Sequence, residues 1–268
     1  MSASLADDLN GSLRVWLESS GYARRLLLGE GGDPWAGGPA KYLSFFTQAR
    51  GLLRADVAVV DLGEMFTSWL ARAPGLATEM GAKKRAAYPM RRMLEEEGPR
   101  RLIDEVAEAV GAHLQGQVPL VLSMPAPGAW MAWAQAAAGR EPELDDDLVE
   151  DAAMYAADFL RCVATRPVGG LLLVEGEIPG PAERYTPVLN AARHYRWAVV
   201  GRDVTPGSEG LFNAAIGTAP AARGCDVSAP LFAGEPLPEL VTGLFRFAEI
   251  PVGHVPEAVL DALARLRS

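Results

Sequence analysis

Gly169-Gly170-Leu171-Leu172-Leu173-Val174-Glu175 is an apolar run that shows no alternation and ends in a carboxylate. A strand built this way is covered on both faces, the pattern of a parallel sheet flanked by helices. Runs of the same kind lie on either side of it. Val118 to Ser123 and the stretch from Ala55 to Leu62 precede it, and Trp197 to Val200 follows, with Asp226-Val227-Ser228 further on. Between them, apolar residues recur at helical spacing. Leu102, Ile103, Val106, Ala109, Val110 and Leu114 predict a helix from about 99 to 115, and further helices are expected at 41–53, 130–138, 147–164, 185–195 and 256–266. The Asp145-Asp146-Asp147 triplet reads as the acidic start of one of these, where carboxylates suit the helix dipole.

Strands alternating with helices specify parallel βα units, hence an α/β fold with a TIM-like (β/α) barrel organisation. Five strands are clear and one or two more are weaker, at 211–216 (helix or strand) and near 249–252. At the N-terminus, Leu5, Leu9, Leu13, Val15, Trp16 and Leu17 predict an amphipathic helix over about 3–19. The glycines and prolines of 29–39 predict a loop, and 65–97 reads as short helices and loops. A helix is expected at 237–247. Residues 1–268 are thus expected to form one barrel-like domain, with 1–54 as a helical and loop extension.

The 268 residues are 49% hydrophobic and 22% charged, suiting a large core. A net charge of −9 disfavours nucleic acid and anionic membranes as partners. The most basic stretch, Lys83-Lys84-Arg85 with Arg91-Arg92, runs into Glu95-Glu96-Glu97. No apolar run has the length of a membrane span, the first ten residues do not resemble a secretory signal, and the two cysteines, Cys162 and Cys225, have no paired spacing. A cytoplasmic protein with a small-molecule ligand is expected.

In parallel α/β folds, ligands bind beyond the carboxyl ends of the strands. Asp61 ends one apolar run, with Glu64 just beyond, and Ser123 ends another. Glu175 and Glu177 follow the third, and Arg202 follows the fourth. Two carboxylates after a buried strand raise each other's pKa and can act as acid, base or metal ligand; each also fits a loop cap or a partner for Arg184 or Arg202. His194, near a helix end, is a candidate partner, or a cap for the last carbonyls. The catalytic candidates are therefore Asp61, Glu175, Glu177 and His194. Ser123, Trp130, Tyr185 and Arg202 are the candidate ligand contacts, the tryptophan as a planar wall or as core. No metal or other cofactor is expected; zinc on Glu175 or Glu177, His194 and Cys225 is the alternative. A P-loop, GxGxxG, GxSxG and HExxH are all missing.

Val118-Pro119-Leu120-Val121-Leu122-Ser123-Met124-Pro125-Ala126-Pro127, Val168 to Glu175, and Gly224-Cys225-Asp226-Val227-Ser228 resemble the uroporphyrinogen decarboxylase and cobalamin-independent methionine synthase superfamily, over about residues 50–265. The resemblance implies a TIM-type barrel. It also implies a lyase (decarboxylase) or methyl-group transferase acting on a small carboxylated or methylated metabolite, with a catalytically silent relative that binds a ligand or protein partner as the alternative. The chain departs from both branches. Residues 21–39 hold only Arg24-Arg25 where the decarboxylases have an arginine-rich motif, and His194 is followed by Tyr195-Arg196 where the methyltransferases have His-x-Cys. It is short for the superfamily, which implies a trimmed or incomplete barrel.

Overall fold

The computed structural model describes residues 4–218 and 221–267. Its strands are β1 (Val15–Glu18), β2 (Ala58–Asp61), β3 (Leu120–Pro125), β4 (Val168–Val174), β5 (Ala198–Arg202), β6 (Ala214–Gly217), β7 (Gly224–Asp226) and β8 (Phe245–Glu249). They form one sheet in the order β1-β8-β7-β6-β5-β4-β3-β2, and every pairing is parallel. The sheet curls into a TIM-like barrel that is nearly closed. Among the described residues, only the seam between its two end strands, β1 and β2, lacks ladder hydrogen bonds.

Helix α1 (Leu5–Asp7) precedes β1, and α2 (Ser20–Leu28) and α3 (Gly38–Leu53) lie between β1 and β2. The link from β2 to β3 carries α4 (Leu62–Arg72), α5 (Pro74–Gly81), α6 (Tyr88–Leu94) and α7 (Glu97–Leu114). Helices α8 (Pro127–Ala137) and α9 (Asp146–Leu160) connect β3 to β4, and α10 (Thr186–His194) connects β4 to β5. Past the short links around β6, α11 (Ser228–Ala233) precedes β8 and α12 (Pro256–Arg267) follows it. Local chemistry sets several starts. Asp145 Oδ1 accepts the Leu148 N–H at 2.8 Å to cap α9, and α3, α8 and α10 carry proline in their first turn.

Alternate residues of the strands point inward. Trp16, Val121, Leu172, Val200, Ile216, Phe245 and Phe247 fill the bore, joined by Leu5, Leu9 and Leu13 from the segment before β1. Those three leucines close the N-terminal end of the barrel. Gly170 makes room for them: a Cβ there would lie 2.5 Å from Leu5 Cδ2 and 2.7 Å from the Ala198 carbonyl oxygen. Arg223 fastens the plug by donating to the Leu9 carbonyl. Outside the strands, α4 to α10 pack one large core against β2–β5, and α2, α3, α11 and α12 pack a smaller one against β1 and β8.

Two expectations are corrected. The helix expected over 3–19 is not continuous: among the described residues of that span, from 4 onward, helical turns occupy only Leu5–Ser12, and Val15–Glu18 is a barrel strand, so this N-terminal region supplies a stave of the barrel as well as helices and a loop. Leu5, Leu9, Leu13 and Trp16 share one side because all enter the bore, which imitates a helical stripe. Nor does a helix form over 237–247. Pro238 and Gly243 (φ 87°) break the segment, and Phe245-Arg246-Phe247-Ala248-Glu249 alternates inward and outward as β8.

Candidate active site at the C-terminal mouth of the barrel

Above the Phe247 and Trp16 layer the inward-facing positions turn polar. Glu18 ends β1, Asp61 ends β2, Ser123 lies near the end of β3, Arg202 ends β5 and Glu249 ends β8. Glu18 and Glu249 are register neighbours, and Asp61 is opposite Ser123. With Arg24 of α2, Glu64 of α4, Glu175 after β4 and Trp133 of α8, they line a cavity of about 540 Å³.

Each acid is fixed by backbone chemistry next to its strand. Glu18 Oε1 accepts the Ser20 N–H at 2.9 Å and the Ser20 hydroxyl at 2.6 Å at the start of α2. Asp61 Oδ1 accepts the Glu64 N–H at 2.7 Å and caps α4. Asp61 thus caps a helix and lines the cavity at once. Burial raises the Glu18 and Asp61 carboxyls above the ordinary range, more than their hydrogen bonds lower them, and neighbouring carboxylates add to the rise. Glu64 is pushed up to about 7, first by burial and then by the Asp61 charge. Arg24 Nη1 lies 3.5 Å from Glu64 Oε1 and opposes the shift, but the desolvation and like-charge effects outweigh it.

The second cation is Arg202. Its Nη2 donates to Glu249 Oε2 at 2.6 Å, and its guanidinium stacks over the Phe247 ring at 4.7 Å. Its Nε is buried 3.4 Å from Asp203 Oδ2 without making a hydrogen bond. Across the cavity, the buried Tyr185 hydroxyl donates to Glu175 Oε1 at 2.7 Å. Glu175 lines the cavity with its Oε2 buried. Burial raises the Glu175 carboxyl as well.

The structure gathers Asp61, Ser123, Glu175 and Arg202 at one rim, with Tyr185 behind Glu175. It separates the others. Glu177 is exposed in the loop after β4 and lines none of the cavity. His194 is exposed at the C-terminal end of α10, which runs back against the strands and so ends at the opposite, plugged face. Trp130 is buried in the outer core against Phe66 and Phe159, and Trp133, one turn on, meets the cavity instead. Cys225 faces outward from β7 toward the smaller core. Glu175, Glu177, His194 and Cys225 therefore do not converge on a zinc ion. Among the described residues no group of three or more His, Cys, Asp or Glu is placed to hold a metal.

Sequence reasoning missed Glu18, Arg24 and Glu249 as site residues and passed over Glu64. Glu18 was hidden because its four-residue strand sits inside a helix-like spacing. Glu249 carries a visible signal, the inward Phe-x-Phe-x-Glu alternation of β8. The chain matches no protein-family model and no curated protein.

Proposed function

We propose that this protein is an enzyme acting on a small carboxylated metabolite as a lyase of the decarboxylase type, with the mouth cavity as its active site. The observation that carries this reading is the Glu64 carboxyl, titrating at about 7, beside Arg24 in a cavity that also presents Arg202. General acid catalysis is most efficient with a group whose pKa lies near the working pH. The arginines hold a carboxylate that the substrate retains, and the departing carboxylate faces the wall of Glu18 and Asp61. The bond to that carboxylate breaks, its electron pair stays on the substrate carbon, and CO2 leaves. Glu64 in its acid form delivers a proton to that carbon and is reprotonated from solvent. The likeness to the decarboxylase superfamily supports the same assignment.

A second reading, a relative that binds a ligand or partner without chemistry, is favoured by one observation: both arginines are already engaged, Arg24 by Glu64 and Arg202 by Glu249. A panel of small mono-, di- and tricarboxylic acids, tested by thermal shift and by CO2 release, separates the two. A ligand at 100 times its dissociation constant adds about 2.7 kcal/mol of stability. The enzyme reading expects one member both to stabilise the protein and to release CO2, with Glu64→Gln slowing turnover roughly 10²- to 10⁴-fold. Stabilisation without CO2 supports the silent binder, and neither effect overturns both readings.

A further inference from the structure

Five of the six tryptophans of the chain have a ring or a cation against them. Trp16 stacks near Phe245, Trp35 lies on Tyr42, Trp130 meets Phe66 and Phe159, Trp197 meets Tyr195, and the Arg72 guanidinium lies over Trp69. Trp133 alone, among the described residues, has neither. It is partly buried and opens on the mouth cavity.

Its position along α8 explains this. Ala129 and Trp133, four residues apart, share a helix face, and both line the cavity, whereas Trp130 and Met131 turn into the outer core. Met124 and Pro125 of β3 and Val174 of β4 continue the surface beside them. The mouth is therefore two-sided: an apolar wall with one unpartnered indole lies over β3 and β4, and the acids Glu18, Asp61, Glu64 and Glu249 stand on the β8, β1 and β2 side.

Decarboxylation adds a chemical requirement. The electron pair of the broken bond has to be lodged somewhere, and an imine between the substrate and a side-chain amine is one way to lodge it. The three lysines of the chain, Lys41, Lys83 and Lys84, line none of this cavity. An aromatic substrate lodges the pair in its own π system.

We infer that the ligand of the mouth site is a hydroxylated aromatic dicarboxylate, its ring stacked on Trp133 and its retained carboxylate toward Arg24 and Arg202. This ligand class rests on the reading of the mouth as a decarboxylase site. The cavity of about 540 Å³ has the room, since apolar cavities of about 150 Å³ already accept benzene. The proton of Glu64 forms a C–H bond with a π pair of the ring at the carbon that bears the departing carboxylate, and the ring hydroxyl feeds electron density to the cation so formed. The C–C bond then breaks, its pair restores the ring, CO2 leaves, and Glu64 takes a proton from solvent.

Isophthalate and cis-cyclohexane-1,3-dicarboxylate carry the same two charges on a flat and on a puckered ring. Titrated calorimetrically into the full chain, isophthalate is expected to bind at one site about tenfold more tightly. Trp133→Leu should cut that preference below about threefold, and Trp133→Phe should keep it. Ala129→Leu, which fills the space beside the indole, should weaken isophthalate about tenfold and decides the matter if Trp133→Leu does not fold. Failure of isophthalate to bind, equal affinity for the two rings, a preference that survives Trp133→Leu, or an isophthalate affinity that Ala129→Leu leaves unchanged overturns the proposal. CO2 release tests the chemistry separately. Release from 4-hydroxyisophthalate supports both the ligand class and the decarboxylase reading. Release from an aliphatic acid with no ring preference overturns the ligand class and leaves the decarboxylase reading standing. Ring preference lost in Trp133→Leu, with no CO2 from any acid, overturns the decarboxylase reading and leaves the ring site as that of a silent binder.

Discussion

Glu64 holds its proton to about pH 7 in the folded chain, whereas an unfolded glutamate releases it near 4.5. The folded state therefore binds more protons across that window, and this group's contribution to stability falls as pH rises from 4.5 to 7 and then levels. Glu64→Gln should flatten the urea-derived stability profile between pH 5 and 8 and stabilise the protein at pH 8 by about 1–3 kcal/mol. An unchanged slope would place the carboxyl in water. The Glu175–Tyr185 pair behaves differently, because the tyrosine hydroxyl donates to a carboxylate that is itself buried. Tyr185→Phe should cost about 1–3 kcal/mol in urea denaturation, and much less in a Glu175→Met background. Single positions were legible where a polar residue ended an apolar run, which is how Asp61, Ser123, Glu175 and Arg202 were found. Glu177 met the same rule and failed it, because the chain leaves the barrel wall directly after Glu175.

Among the elements, the strands with continuous aliphatic runs, β3, β4 and β5, were readable because burial on both faces permits no other pattern. β1 and β8 were not, since each is four or five residues long and set against a competing periodicity. The segment before β1 is as much a part of the barrel as the strands. Gly170→Ala should bring its new methyl into Leu5 and the Ala198 carbonyl and destabilise the protein by about 1–3 kcal/mol. In a Leu5→Ala background the added penalty should shrink without vanishing, because the carbonyl contact remains. Chemical denaturation of the four proteins in this cycle measures it, and strict additivity would mean that Leu5 does not press on β4.

For the whole molecule, parallel pairing throughout means that every strand end of one polarity meets at a single face, so the address of a side chain along its strand or helix decides whether it can share in chemistry. His194→Ala and Glu177→Ala should therefore leave ligand-induced thermal shifts and any turnover within about twofold of the parent, while Arg202→Ala abolishes them. A tenfold loss in His194→Ala would contradict the placement of α10. The α/β barrel expected from the sequence is present with all eight strands, so the chain is not trimmed; it is incomplete only in the unpaired seam between β1 and β2. The chemistry of the rim was less legible, because acids from β1, β2, α4 and β8 meet there only after closure of the barrel brings the two ends of the chain together.

The leucine cork beneath the bore has a kinetic corollary. A vessel stoppered at its base has one doorway, so whatever enters past the acids must back out the same way. Shaving Leu9 to glycine should cut no second exit, because Trp16, Phe245 and Phe247 fill the bore above it; it should lower stability and leave the release rate of a bound ligand unchanged.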